Sequence, residues 1–284
     1  MQTINQKIVK VKNLNVKIGR KKILDNVHIQ FQKGESVVLA GRNGAGKSTF
    51  LRCLAKVILP DQGSIVYSAE VTQEQIGFIS ARISLFENFT LKQGIDFHTS
   101  VFHLKDFAYT LINQLKLDLN QKIKGLSAGE RTLYHLSLLL SQKPEILLVD
   151  EIIHTIDPYL REQFLEAIID LMDRCQTTVI MINHTFSEIE KIPERVLVME
   201  EGQFILDEKM ETLGEKIKRI ESKEDLSEEI PCIFKRESSF HKEYFIYPFK
   251  EELKKIFPHE FKDLSLNEII KAFVGGQYAK KRNQ

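Results

Sequence analysis

Apolar and polar positions alternate along residues 8–18 and again along 23–31, with Gly19-Arg20-Lys21 between them, which predicts two antiparallel strands joined by a turn. The apolar run Ser36-Val37-Val38-Leu39-Ala40 then leads into a glycine-rich stretch, Gly41 to Gly46. In 47–56, Phe50, Leu51 and Leu54 recur at helical spacing, so the order strand, loop, helix is predicted. Between 86 and 142 strand signals thin out and helical patterns take over, with Leu133, Leu136 and Leu140 returning on one face. Strands return at 145–149 and 177–182, short and rich in branched residues, as in a sheet covered on both faces. Residues 195–199 and 203–207 flank Glu200-Glu201-Gly202 and predict a hairpin.

The stretch 207–229 is densely charged and predicts a solvated connector or exposed helix, with a boundary near Leu213. Beyond it, 230–234 and 244–247 have strand character, and 249–257 places Phe249, Leu253, Ile256 and Phe257 on one helical face. Ser265-Leu266-Asn267-Glu268 has capping-box spacing ahead of Ile269, Ile270 and Phe273. The expectation is a small α/β appendage. No internal repeat or low-complexity tract is evident.

Bulk properties narrow the picture chiefly by exclusion. Among 284 residues, 40 Lys and Arg face 39 Asp and Glu, and a net charge of +1 supplies no field for recruiting nucleic acid. The strongest apolar runs, 136–140 and 146–149, fall far short of the roughly 20 residues that span a bilayer. The polar start of the chain lacks the apolar core of a secretory signal, and Cys53, Cys175 and Cys232 have no metal-ligand spacing. A reducing, cytosolic setting is expected, and the cysteines receive no role.

Gly41-Arg42-Asn43-Gly44-Ala45-Gly46-Lys47-Ser48 fits the phosphate-loop pattern, with Thr49 following. Such glycines let the backbone curl so that N–H groups meet phosphate oxygens, and the helix start adds partial positive charge. Lys47 would reach the terminal phosphates, and the Ser48 hydroxyl would take a Mg²⁺ position. About a hundred residues on, Ile146-Leu147-Leu148-Val149 delivers Asp150 and Glu151 to the end of a buried strand. Asp150 would hold Mg²⁺ through water, and Glu151 would act as general base on the attacking water.

Together these elements resemble the ABC ATPase family over approximately residues 8–207. The resemblance implies a P-loop NTPase with a RecA-like core, an antiparallel β layer and an inserted helical subdomain at about 86–142. The nucleotide-binding domain would then cover 1–212, and a small C-terminal accessory domain 213–284. Leu126-Ser127-Ala128-Gly129-Glu130 resembles the family's signature sequence, with Ala128 and Glu130 as variants, and it would contact ATP held by a second ATPase subunit. His154-Thr155-Ile156-Asp157-Pro158 lies where the family has its D-loop, Asp157 resembling the residue that links the two sites. His184 matches the switch histidine. Two departures stand out. Ala81 occupies the place of the family's glutamine, and Ile18 the place of the aromatic residue that stacks on adenine, so slow or partner-dependent turnover is expected.

The resemblance implies an ATP- and Mg²⁺-dependent subunit, paired as homodimer or heterodimer, that powers a separate membrane-spanning subunit from the inner face of the membrane. Its docking surface would lie around 80–93 and the helical subdomain, although Phe86, Phe89 and Leu91 also suit a core. The tail Leu264-Ser265-Leu266-Asn267-Glu268-Ile269-Ile270-Lys271-Ala272-Phe273, followed by Gly275, resembles ATPases of ABC-2 type exporters and suggests export. Lys280-Lys281-Arg282 is expected to be a solvated terminus. Two other readings stay open: a soluble ABC ATPase without a transporter, and a catalytically weak regulatory subunit. A single cassette, no heptad arm and near-zero charge disfavour the first, and Glu151 and His184 the second.

Overall fold

The computed structural model describes residues 6–80, 85–153, 156–183, 189, 192–227, 230–237, 241–256 and 260–275. The alternating N-terminal segments form β1 (Lys7–Ile18) and β2 (Lys21–Gln32), antiparallel, with Ile18 opposite Lys21 at the turn. Strand β3 (Ser36–Gly41) leads through the glycine loop into α1 (Lys47–Leu54). Strand β4 (Gln62–Tyr67) returns to the free side of β1, completing a three-stranded sheet ordered β2-β1-β4, and β5 (Ile76–Ser80) comes next.

The helical stretch comprises α2 (Leu91–Val101), α3 (Thr110–Gln114) and α4 (Ala128–Gln142), which share a small core of their own around Leu91, Ile95, Ile112, Ile123 and Tyr134. Within it Leu91 is buried, Phe89 half-buried and Phe86 exposed, so the residues singled out at this face divide between core and surface. Next come β6 (Ile146–Asp150), α5 (Pro158–Cys175), β7 (Thr178–Ile182), β8 (Arg195–Glu200) and β9 (Gln203–Lys209). The large sheet is ordered β5-β6-β7-β3-β8-β9, parallel except for the β8–β9 hairpin.

The period of two along a strand explains why that sheet is apolar on both faces. Val38, Ala40, Leu147, Val149, Val179, Met181, Val196 and Val198 point to one side, against Leu133, Leu136, Phe164 and Ile168 of α4 and α5. Their neighbours Val37, Leu39, Ile146, Leu148, Ile180 and Leu197 point to the other, against Phe50, Leu51 and Leu54 of α1 and the inner face of the N-terminal sheet. A strand sandwiched in this way is held rigidly, and β3 lies deepest, between β7 and β8.

Residues 207–227 match the expected exposed helix only in part and otherwise depart from the expected solvated connector. Strand β9 continues to Lys209, α6 (Met210–Lys216) succeeds it, and β10 (Lys218–Ser222) is an inner strand of a second sheet. Its other members are β11 (Cys232–Glu237), β12 (Lys242–Ile246) and β13 (Phe261–Lys262), in the order β11-β12-β10-β13. The charges misled because they are paired across strands: Arg219 lies 3.3 Å from Glu243 and Lys262 lies 3.1 Å from Glu221, while Leu213, Ile217 and Ile220 are buried among them. Helix α7 (Glu252–Ile256) starts later than expected, with Phe249 ahead of it, just beyond the cis Tyr247–Pro248 bond, and Phe257 lies outside the described residues. Helix α8 (Leu266–Gly275) starts as predicted: Ser265 N–H donates to Glu268 (3.0 Å) and Glu268 N–H to the Ser265 hydroxyl (3.4 Å). Its apolar face, Ile269, Ile270, Ala272 and Phe273, joins the same core as Val38 and Val196 of the large sheet.

Candidate nucleotide site

The phosphate loop leaves the carboxyl end of β3, where the sheet forces a close approach. A Cβ on Gly41 would lie 2.1 Å from the Met199 carbonyl oxygen of β8, and the residue's φ of 145° is one that side chains disfavour. The loop is then tied to the β8–β9 hairpin by Gly202 N–H, which donates to Ala45 O at 2.9 Å. Arg42, Asn43 and Gly44 are exposed at its crest, whereas Ala45, Gly46 and Lys47 are buried beneath. Inside the curl, Lys47 Nζ donates to Gly41 O (2.8 Å) and Arg42 O (3.1 Å). Burial pulls the Lys47 ammonium below the usual lysine range, opposed by the carboxylates of Glu151 and Asp150.

Strand β6, two places along from β3, carries the carboxylates to the same end of the sheet. Ser48 Oγ, in the first turn of α1, donates to Asp150 Oδ1 at 2.8 Å across 102 residues of sequence. Burial raises Asp150 above the usual carboxylate range, and the neighbouring Glu151 adds to the rise. The Ser48 hydrogen bond, Arg52 and Lys47 oppose it. Glu151 has left-handed backbone geometry, φ 51°, and places Oε1 3.7 Å from Lys47 Nζ while staying partly open to solvent. Thr49 is half-buried on α1. A hydroxyl and a carboxylate this close are hard oxygen donors of the kind Mg²⁺ takes, and a dication would offset the burial of Asp150; the residues present fit the ion.

The signature residues form the start of α4. Ser127 is its N-cap, accepting from Glu130 N–H at 3.2 Å, while Ser127 N–H donates to Glu130 Oε2 at 2.8 Å. Gly129 lets this end of α4 meet the start of α5, since a Cβ there would lie 2.6 Å from Leu160 Cδ1 and 3.5 Å from Asp157 Oδ2. Asp157 caps α5, accepting from Leu160 N–H at 3.1 Å, with Pro158 in the first turn.

Two groups of residues result: Gly41 to Thr49 with Asp150 and Glu151, and Ser127 to Glu130 with Asp157. Ala81, His154 and His184 lie outside the described residues. Ile18 is 58% exposed at the end of β1. Sequence reasoning missed Arg161, whose guanidinium donates to Ile153 O (3.2 Å) and Ile156 O (3.0 Å) and so braces the segment between β6 and α5. It missed Arg195 as well, which grips Asp207 through two bonds of 2.6 and 2.7 Å and Glu35 at 3.1 Å, fixing β8 to β9 and to the start of β3. An arginine opening a buried strand, shortly before the hairpin tip, was the available signal.

Residues 24–154 match the family described as ABC transporter. The chain is 30% identical over 197 residues to the energy-coupling factor transporter ATP-binding protein EcfA1 of Bacillus licheniformis, covering 63% of this chain and 69% of that one. It is 27% identical over 220 residues to the osmoprotectant import ATP-binding protein OsmV of Salmonella typhimurium, covering 70% of this chain. The chain spans only 58% of OsmV, and 65% of the sulfate/thiosulfate import ATP-binding protein CysA of Pseudomonas syringae. Among solved structures, an ATP-binding subunit of an ABC transporter superposes with a TM-score of 0.66 at 19% identity, covering 73% of this chain and 92% of the other. A dimeric ATP-binding cassette in a post-hydrolysis state with ADP and Pi superposes with a TM-score of 0.61 at 21% identity, covering 72% and 99%. Those structures share the fold, and the sequence matches, read with the loop and carboxylates above, place the chain in the ABC transporter ATP-binding family.

Proposed function

We propose that this chain binds ATP with Mg²⁺, pairs with a second ATPase subunit, and uses hydrolysis to power a membrane-spanning transporter subunit on another polypeptide. The observation that carries the reading is the 2.8 Å bond between Ser48 and Asp150, with Glu151 poised 3.7 Å from Lys47 beside it. Loop N–H groups and Lys47 would hold the phosphates, Ser48 and Asp150 would hold Mg²⁺, and Glu151 would take the proton of the attacking water. Bound there, Mg²⁺ would neutralise charge on the phosphate oxygens. The start of α4, Ser127 to Glu130, with Ser127 and Ala128 exposed, suits a phosphate presented by the second subunit, and Asp157 would link the two sites. His184 is proposed to assist at the γ-phosphate, and residues 213–284 to act as an accessory unit.

Among the described residues no helix is long and apolar enough to cross a membrane. The relatives whose names state a direction, OsmV and CysA, are import proteins, so the export suggested by the tail motif finds no support in them. With Ala81 and Ile18 in place of the family's usual residues, turnover is expected to be slow until a partner engages.

The test is Mg²⁺-dependent ATPase activity of the purified chain, alone and with its membrane partner, beside Glu151→Gln. Activity that vanishes in the variant and rises with the partner is the expected result. Intact ATP binding with no hydrolysis in either setting would instead favour a regulatory subunit.

A further inference from the structure

Between the end of β6 and the start of α5 runs a short connection, Glu151 to Asp157, whose two ends carry different chemistry. Glu151 sits beside Lys47 at one end, and the exposed Asp157 caps α5 at the other. Ile152, Ile153 and Ile156 are buried in the core that α4 and α5 share with the large sheet. Apolar burial is non-directional, so it holds the segment down without fixing how its backbone is turned. Glu151 nevertheless keeps a left-handed φ of 51°, a conformation that a residue with a Cβ holds only where its surroundings enforce it.

Arg161 supplies directional contacts. It lies half-buried near the start of α5, and helical side chains lean toward the amino end of their helix, so its guanidinium turns back over the connection. Nε donates to Ile153 O at 3.2 Å and Nη2 to Ile156 O at 3.0 Å, while the backbone N–H of Arg161 donates to Asp157 O at 2.9 Å. Ile156 N–H also reaches Ile153 O, at 3.4 Å, a weak closure that the guanidinium reinforces. One planar fork thus pins a carbonyl two residues after Glu151 and another directly before Asp157, which the point charge of a lysine could not do. A cation this near a helix N-terminus opposes the helix dipole, so the stability of α5 does not by itself call for an arginine here.

Resting on the nucleotide reading above, we propose that Arg161 is a positioning residue for ATP hydrolysis: by clamping Ile153 and Ile156 it sets the stance of Glu151 toward the attacking water and of Asp157 toward the second subunit. It acts on turnover and not on nucleotide capture. The groups read as holding the phosphates and Mg²⁺ lie on β3, its loop, α1 and the last residue of β6, where Asp150 is paired with Ile182 of β7. The clamped segment begins only beyond them.

Arg161→Ala and Arg161→Lys test this beside the unaltered full chain, with Arg195→Lys as the control. Arg195 is an arginine held through the same kind of fork, but at the amino end of the large sheet, away from the carboxylates. In both Arg161 variants kcat for Mg²⁺-dependent hydrolysis should fall about 10–100-fold, as for a misplaced reacting group, while the dissociation constant for ATP stays within about twofold. Arg195→Lys should lower the melting temperature yet keep kcat within about twofold of the unaltered chain, all assays being run below the melting transition of every variant. Exchange of the Ile156 amide, followed by NMR, should quicken in Arg161→Ala and not in Arg195→Lys, which reads the clamp whether or not ATP is turned over. Should Arg161→Ala fail to fold, Arg161→Lys carries the same comparisons. Unchanged kcat, an equal loss of kcat in Arg195→Lys, a loss of ATP binding as large as the loss of kcat, or unchanged exchange at Ile156 overturns the proposal. If the unaltered chain hydrolyses ATP and the Arg161 variants match it, the positioning role alone fails. If the unaltered chain hydrolyses none, alone or with its membrane partner, Glu151 has no reaction to serve and both readings fall.

Discussion

Replacing Gly41 by alanine tests whether β3 and β8 fix the mouth of the phosphate loop. Two penalties coincide at this residue. A φ of 145° is unfavourable for any residue with a Cβ, and the added carbon would lie 2.1 Å from the Met199 carbonyl oxygen. That atom belongs to the backbone of a buried strand and cannot swing aside as a side-chain tip would. Backbone strain of about 1–2 kcal/mol and overpacking of about 1–3 kcal/mol together predict a loss of roughly 3 kcal/mol. At roughly 2–4 °C per kcal/mol for a protein of this size, the melting temperature should fall by about 10 °C.

Gly44→Ala provides the internal comparison. Gly44 also has positive φ, 80°, but nothing lies within 4 Å of its would-be Cβ. Strain of about 1 kcal/mol is then largely offset by the roughly 0.4–1 kcal/mol gained by restricting the unfolded chain. Its melting temperature should stay within about 2 °C of the parent. Calorimetric melts of the three proteins, with ATP titrations alongside, read both stability and loop function. Equal melting shifts for the two variants would refute the argument, because steric crowding by Met199 is what separates them.

Asp150→Asn should abolish Mg²⁺-dependent turnover while leaving the melting temperature equal or higher, since burial raises the Asp150 carboxyl and disfavours its charge; a large drop in melting temperature would count against this. His135, pushed down to about 4 when folded against about 6.5 when unfolded, contributes stability above pH 6.5 that is lost as pH falls toward 4. At pH 5 the loss is about 2 kcal/mol, and His135→Leu should flatten the acid limb of a urea-stability profile; an unchanged profile would sink the assignment. Phe273→Ala should destabilise by about 3–5 kcal/mol, because the ring is fully buried in the core shared with the large sheet and packs edge-on to Tyr247 at 5.0 Å. Should the main melting transition stay put in that variant, the C-terminal helix does not support the nucleotide-binding sheet.

The carboxyl end of the large sheet was readable in the sequence because its signals are local. Six buried residues in Ser36–Gly41 and five in Ile146–Asp150 advertise covered strands, and each strand runs into residues of plain chemistry, the glycine loop in one case and paired carboxylates in the other. No local signal carries the distance between Ser48 and Asp150, because strand order sets it: β6 reaches β3 only by way of β7. Strand β10 was hidden for a related reason. Lys218, Arg219, Glu221 and Ser222 look solvated until β12 and β13 supply their partners, and the single Ile220 gives no period to detect. The partner face of α8 was equally out of reach, since amphipathicity shows that Ile269 and Phe273 need a core but not whose core it is.

The start of α4 is held by a few atoms. Of the first N–H groups of this helix, that of Glu130 is taken by the Ser127 hydroxyl, and the Glu130 carboxylate in turn takes the N–H of Ser127. The N–H groups of Ala128 and Gly129 fall in the first turn, where the helix itself offers no acceptor. Under the proposed function, these two donors and the helix dipole would face the phosphate of a second subunit, with the capping box holding the turn in place. Gly129 adds the third requirement. With no Cβ, it lets the start of α4 close on Leu160 and Asp157 at the start of α5. A variant such as Ala128 keeps its backbone N–H and is tolerable in this arrangement, whereas a side chain at 129 would push the two helix ends apart.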